Sequence, residues 1–152
     1  MRRLLVALFL SLAFTANALP QAAPVEITAD NFAVEQSAKK ATFTGNVVVR
    51  REGMTLWAGK VTVDYGSGGL SNIVGLIASG GVRLKTPEQT ASGDRAEFNP
   101  RTQVLKISGN VTITNASGTM SGPQLVLDLK NGSTTFSGGG NSGRVTGVFT
   151  PQ

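Results

Sequence analysis

The sequence predicts an all-β domain: two facing antiparallel sheets made of about 16 short strands. Three observations predict it. Apolar and polar residues alternate over many short stretches, the pattern of a half-buried strand. Glycine recurs inside those stretches, as Gly45 does in the run from Lys40 to Val49. Beyond the first residues of the chain, no apolar run of helical period reaches the roughly 11 residues that would argue for a helix.

The chain opens differently. Arg2 and Arg3 precede an apolar run from Leu4 to Phe14, and Ala16-Asn17-Ala18 follows. A basic start, a short apolar stretch and small residues make a secretory signal peptide, with cleavage expected after Ala18. The run is shorter than the roughly 20 residues that span a bilayer. Residues 19–24, with Pro20 and Pro24, read as a linker, and 25–152 as one domain. Removing residues 1–18 takes Arg2 and Arg3 with it, so the formal charge falls from 14 − 9 = +5 to 12 − 9 = +3. No cysteine is present, and the remaining chain is long enough to fold on its core alone. An exported, soluble protein is the expectation.

Within the domain, Gly45 is one of a series. Phe43-Thr44-Gly45-Asn46-Val47-Val48-Val49 is echoed by Ala78-Ser79-Gly80-Gly81-Val82-Arg83-Leu84 and by Ile107-Ser108-Gly109-Asn110-Val111-Thr112-Ile113, and more faintly by Phe136-Ser137-Gly138. Thirteen residues after the first three glycines stand Ala58, Gly93 and Gly122, each expected to begin another strand. From Ala29 through these positions the period is 29, 35 and 29, the longer step reflecting a turn insertion between Tyr65 and Asn72. The chain thus holds about four copies of a 29-residue unit. A glycine inside a strand marks a bulge, a bend or a close backbone approach. Placed alike in every unit, it would turn each strand from one sheet into the other, with reversals at Asn99 to Thr102 and Lys130 to Ser133.

Alternation then names the inner face. Around the glycines it takes Phe43, Val47 and Val49, then Val82 and Leu84, then Ile107, Val111 and Ile113. Between them it takes Phe32, Val34, Val61, Val63, Phe98, Leu125 and Leu127. The lining is aliphatic with few aromatics. Thr44, Asn46, Thr62, Arg83, Lys85, Lys106 and Thr112 point outward.

Composition excludes several chemistries. With no histidine and no cysteine, the commonest general base, the thiol nucleophile and the usual transition-metal ligands are missing. The nine carboxylates, Asp64, Asp94, Glu97 and Asp128 among them, show no spacing that demands a shared site, so no enzyme is expected. The run Gly138-Gly139-Gly140-Asn141-Ser142-Gly143 matches a dinucleotide fingerprint by coincidence, since a strand and not a helix follows it. Neither a metal nor a cofactor is implied. Trp57 reads as packing in a strand. Lys39-Lys40 and Arg50-Arg51 are too sparse for a nucleic-acid surface.

Taken in order, Phe43-Thr44-Gly45-Asn46-Val47, Ala58-Gly59-Lys60-Val61, Ser108-Gly109-Asn110-Val111 and Gly143-Arg144-Val145-Thr146 before Thr150-Pro151 resemble the OstA-like family of periplasmic lipopolysaccharide-transport proteins. The resemblance runs from about Val25 to Pro151. Gly59 and Pro123 stand where the family often has Asp, which Asp30 and Asp94 retain. It implies an open, twisted β-jellyroll whose apolar slot, lined by the inward residues, carries lipopolysaccharide acyl chains. It implies a place in the periplasm between an LptC-like inner-membrane protein and an LptD-like outer-membrane protein, and the cleavable signal favours the free periplasmic role over an anchored LptC-like one. It also implies head-to-tail self-association. The docking edges would be Val25 to Thr28, with Val25 and Ile27, and Arg144 to Phe149, with Val145 and Val148. Arg50 and Arg51 are candidate phosphate contacts.

A stack of strands supports the last point independently, because its unpaired end edges invite β-augmentation, and a head-to-tail contact that does not close builds a bridge. The rival reading is a structural exported β-solenoid or adhesin-type module with a packed interior, which would show no lipid-sized cavity. A glycan-acting enzyme would need carboxylates clustered in a cleft.

Overall fold

The computed structural model describes residues 24–138 and 143–151. The expected signal peptide, most of the linker and the middle of the Gly138 to Gly143 run lie outside the described residues. Ten strands follow in order: β1 (Glu26–Thr28), β2 (Asn31–Glu35), β3 (Lys40–Arg51), β4 (Met54–Tyr65), β5 (Ile73–Lys85), β6 (Gln89–Asn99), β7 (Val104–Asn115), β8 (Gly118–Asp128), β9 (Ser133–Ser137) and β10 (Thr146–Phe149). The insertion between Tyr65 and Asn72 forms one turn of 3-10 helix at Gly69–Ser71.

Every pairing is antiparallel. From β3 to β8 each strand pairs with its neighbours in sequence. At one end β1 lies opposite Val48 to Arg50 while β2 lies opposite Lys40 to Thr44, so β3 carries both. At the other end β8 carries β9 and β10 in the same way. No pairing joins the two ends among the described residues, and the sheet is not closed.

The expected 16 short strands counted each kinked strand as two halves; the strands themselves are ten and continuous, six of them running for 11 to 13 residues. Ala58, Gly93 and Gly122 do not begin strands but lie inside β4, β6 and β8. The reason is that backbone pairing resumes on the far side of each glycine, so the ladder continues through the bend. The bend itself is a register shift. Gly45-Asn46 of β3 stand against Gly59 alone, Gly80-Gly81 against Asp94 alone, and Gly109-Asn110 against Pro123 alone.

Both residues of each pair have positive φ: +85° and +46°, +79° and +79°, +78° and +50°. Two successive left-handed residues with one residue in excess bend the strand sharply, and glycine takes that conformation without a Cβ clash. Asparagine takes it more readily than other side chains. At the first corner the Asp30 N–H donates to the Gly45 carbonyl at 2.9 Å, and the Asp30 carboxylate accepts from Asn46 Nδ2 at 2.8 Å. At the third, Asn110 Nδ2 donates to Asp94 Oδ2 at 3.1 Å. The middle corner has neither partner. Gly59 stands in place of the aspartate and Gly81 in place of the asparagine, and a Cβ on Gly80 would lie 3.2 Å from the Gly59 Cα.

The corners divide the ladder into a half that ends on β1 and β10 and a half that ends on β2 and β9. No helix covers either half among the described residues, yet Ile107 and Leu125 are fully buried and Val47, Val61 and Val111 are 1% exposed. Only the other half can cover them, so the sheet folds onto itself with its apolar face inside. At the β8–β9 turn, Asp128 Oδ1 accepts from the backbone N–H groups of Lys130 and Asn131, and Oδ2 from Asn131 Nδ2. These bonds hold its carboxyl below the usual carboxylate range, those from Asn131 foremost.

Two glycines separate conformation from crowding. Gly53, at φ +70°, has nothing within 4 Å of a built Cβ, whereas one on Gly45 would lie 2.5 Å from Asp30 Oδ2. Gly53→Ala should therefore cost about 1–2 kcal/mol, the left-handed penalty alone. Gly45→Ala should cost about 1–2 kcal/mol more, an excess that Asp30→Ala in the same chain recovers. Urea unfolding of the four proteins measures this, and equal costs at the two glycines would remove close approach as the constraint.

Candidate functional site

Directly opposed cross-strand residues share a face, and on the inner face they form unbroken apolar rows. In the half that carries β2, one row runs Phe32, Phe43, Val61, Ala78, Ala96, Ile107, Leu125, Phe136. The next runs Val34, Ala41, Val63, Leu76, Phe98, Leu105, Leu127. In the other half Ile27, Val49, Leu56, Leu84, Ala91, Ile113 and Met120 form a third. Val47, Val82 and Val111 lie next to the corners.

Of the expected lining, Val47, Val49, Val61, Val63, Val82, Leu84, Ile107, Val111, Ile113, Leu125 and Leu127 are buried. Phe43 and Phe98 are partly buried and pack on that cluster. Phe32 and Val34 are 53% and 43% exposed, although their register puts them on the same face. Their strand is at the edge, so no further strand shields them, and Phe32 leans on Phe43 with ring centroids 4.7 Å apart.

Sequence reasoning missed Leu56, Leu76, Ala78, Ala91, Ala96 and Leu105, which belong to the same rows. Alternation reaches Leu105 two before Ile107, Ala96 two before Phe98, and Ala78 and Leu76 by stepping back from Val82. In β4 and β6 it slips by one residue at the corner, so Leu56 and Ala91 keep step with Ala58 and Gly93 and not with Val61 and Ala96.

Between the halves lies a cavity of about 70 Å³. Val49, Met54 and Leu56 line it from one half, Ala78, Phe98 and Leu105 from the other, with Val25 and Leu129 also at its wall. That is room for a few waters and far less than an acyl chain needs. Among the described residues Arg51 is the one charged residue in the lining. Arg50 and Arg51 part company here: Arg50 lies opposite Glu26 and Thr55, whereas Arg51 lies opposite Met54 in the inner alternation of Val47 and Val49.

Among the described residues, each end of the folded sheet leaves strand edges unpaired. Val25 is exposed just before β1, while Ile27 packs against the core. Val145 precedes β10, and within β10 Val148 and Phe149 are 66% and 63% exposed. Thr150 N–H donates to the Ser117 carbonyl, and N–H directions alternate along a strand. Val148 and Thr146 therefore point their N–H groups into the ladder, and Phe149 and Gly147 point theirs to the free side.

The four carboxylates singled out in the sequence have local partners. Asp64 pairs with Lys40 at 3.5 Å and Glu97 with Arg95 at 2.9 Å, while Asp94 and Asp128 hold the corner and the turn already described. Trp57 lies opposite Arg83, whose guanidinium sits 4.5 Å from the ring centroid.

Comparison with known proteins adds three findings. Residues 26–133 match the family described as LptA/(LptD N-terminal domain) LPS transport protein. An uncharacterised protein of Rhizobium meliloti (strain 1021) is 31% identical over 136 residues, an alignment covering 85% of this chain and 72% of that protein. The fold is similar, at a TM-score of 0.72 and 17% identity, to the crystal structure of LptH, the LptA-homologous periplasmic component of the conserved lipopolysaccharide transport device of Pseudomonas aeruginosa. That match covers 84% of this chain and 96% of the other. A ladder bent at repeated glycines around an apolar face, matched by family and by fold, identifies the chain as a member of the LptA/LptD N-terminal-domain family of lipopolysaccharide-transport proteins.

Proposed function

We propose that this protein works in the periplasm as a carrier of lipopolysaccharide, holding acyl chains between the two halves of its folded sheet. The observation that carries the reading is the set of continuous apolar rows on a sheet that, among the described residues, has only itself for cover. Loading parts the halves, and the acyl chains replace the contacts the halves made with one another. That exchange is apolar for apolar, so the gain is the lipid's own removal from water, about 0.8 kcal/mol per buried methylene. An open sheet can widen in this way, whereas a closed barrel is held by its ladder.

The unpaired edges support a further part of the proposal: copies associate head to tail, and the same edges meet an LptC-like inner-membrane protein and an LptD-like outer-membrane protein, making a bridge. Main-chain groups of β1 and β10 supply the docking bonds. The small size of the cavity favours a second reading, an exported structural module with a permanently packed interior.

A photo-crosslinking residue at Phe98 or Leu105, inside, should capture lipopolysaccharide in cells. One at Thr62 or Thr112, outside, should not. Labelling equal on both faces removes the slot, and silence on both favours the packed module.

Docking at β10 has its own test. Phe149→Pro removes an N–H aimed at the free side without touching the inward bonds of Val148 and Thr150, so head-to-tail association measured by light scattering should be lost while circular dichroism stays that of the parent. Phe149→Leu, which keeps the N–H and an apolar side chain, should associate like the parent. A proline variant that still assembles removes β10 as the docking strand.

A further inference from the structure

We infer that Arg51 is the residue that binds the phosphate of the carried amphiphile, and that it fixes the lipid's direction in the slot. This rests on the lipid-slot reading above and adds a subsite to it. The inner face is apolar through every row, and among the described residues Arg51 is the one charged residue in the wall of the cavity between the halves. It ends β3, past Val47 and Val49, where the hairpin turn into Met54 opens the slot to water.

An arginine there can lay its methylene stem along Val49 and Met54 and keep its guanidinium at the surface. Among the described residues the ion pairs are Lys40 with Asp64 and Arg95 with Glu97, so the guanidinium of Arg51 is not held by an internal carboxylate. Its neighbour Arg50 cannot do the same, since its register puts it on the outer face opposite Glu26 and Thr55.

An apolar cavity with one cation at its mouth is complementary to a molecule with acyl chains and one adjoining anionic group. The planar fork of arginine matches phosphate with two parallel hydrogen bonds. The headgroup then sits at the β3–β4 hairpin, beside Val25, and the chains run inward past Leu56 and Ala78 toward Phe98 and Leu105. The edge formed by β1 would thus be the end of the molecule nearest the phosphate.

Binding of three probes to the full-length mature protein tests this: phosphorylated lipid A, the same lipid A with its phosphates removed, and inorganic phosphate. The parent should prefer the phosphorylated lipid about tenfold, the worth of a charge-assisted pair. Arg51→Gln should bind both lipids alike, at the parent's affinity for the dephosphorylated one. Arg51→Lys, which keeps the charge without the fork, should recover part of the preference, and Arg50→Gln all of it. Inorganic phosphate at millimolar concentration should not displace the lipid.

A preference that survives in Arg51→Gln, or disappears in Arg50→Gln, overturns the assignment while leaving the slot intact. Displacement by inorganic phosphate overturns it in favour of a free-anion site. Failure of the parent to bind either lipid overturns the slot itself, and the assignment with it.

Discussion

Among the described residues the sheet has one apolar face and no second layer over it, so it has only itself for cover. Everything else in this molecule depends on that constraint. Six strands of 11 to 13 residues are long enough to fold over, provided that each bends at the same height. A bend that keeps the ladder running on both sides takes two left-handed residues in succession, which L-amino acids with ordinary side chains resist. Hence the glycines, one at each corner of β3, β5 and β7, with asparagine or a second glycine behind them.

The corners are not equivalent. The first and third are tied by a carboxylate, Asp30 to Asn46 and Asp94 to Asn110, across a contact so close that no side chain fits on the glycine. The middle one is bare backbone against backbone, Gly59 against Gly80. A tied corner fixes the angle between the halves where it stands, and the bare one leaves that angle to the packing of the core. In the proposed loading, which parts the halves, the molecule would combine two firm joints with one that yields more easily.

Much of this was legible in the chain. The repeated apolar-hydroxyl-Gly-x-Val pattern located the corners, and period-2 alternation located most of the inner face, because both are local properties of a strand. What escaped was non-local. That Asp30 touches Gly45 depends on which strand pairs with which, and the missing aspartate at Gly59 makes sense only beside the missing asparagine at Gly81. Ala58, Gly93 and Gly122 read as strand starts because a small residue resembles a boundary, whereas pairing on both flanks carries the ladder through them. Phe32 and Val34 belong to the inner face by alternation, but their exposure depends on being at an edge, which no alternation records. The split between Arg50 and Arg51 was within reach of the same rule, one step beyond Val49.

The sequential order of the ladder has a consequence for how stability is distributed. From β4 to β7 each strand pairs only with its neighbours in the chain, so the molecule behaves as a one-dimensional array in which each unit is held from two sides except at the ends. Opening a terminal strand breaks one interface, and opening β5 or β6 breaks two. Amide protons in the middle of the array therefore exchange only on near-global unfolding, while those of β1 and β10 exchange through fraying that costs little. A partner strand seated on either edge turns that end into an interior position. Chain ends that look like the weakest part of an isolated copy become, in a row of copies, as well protected as the middle.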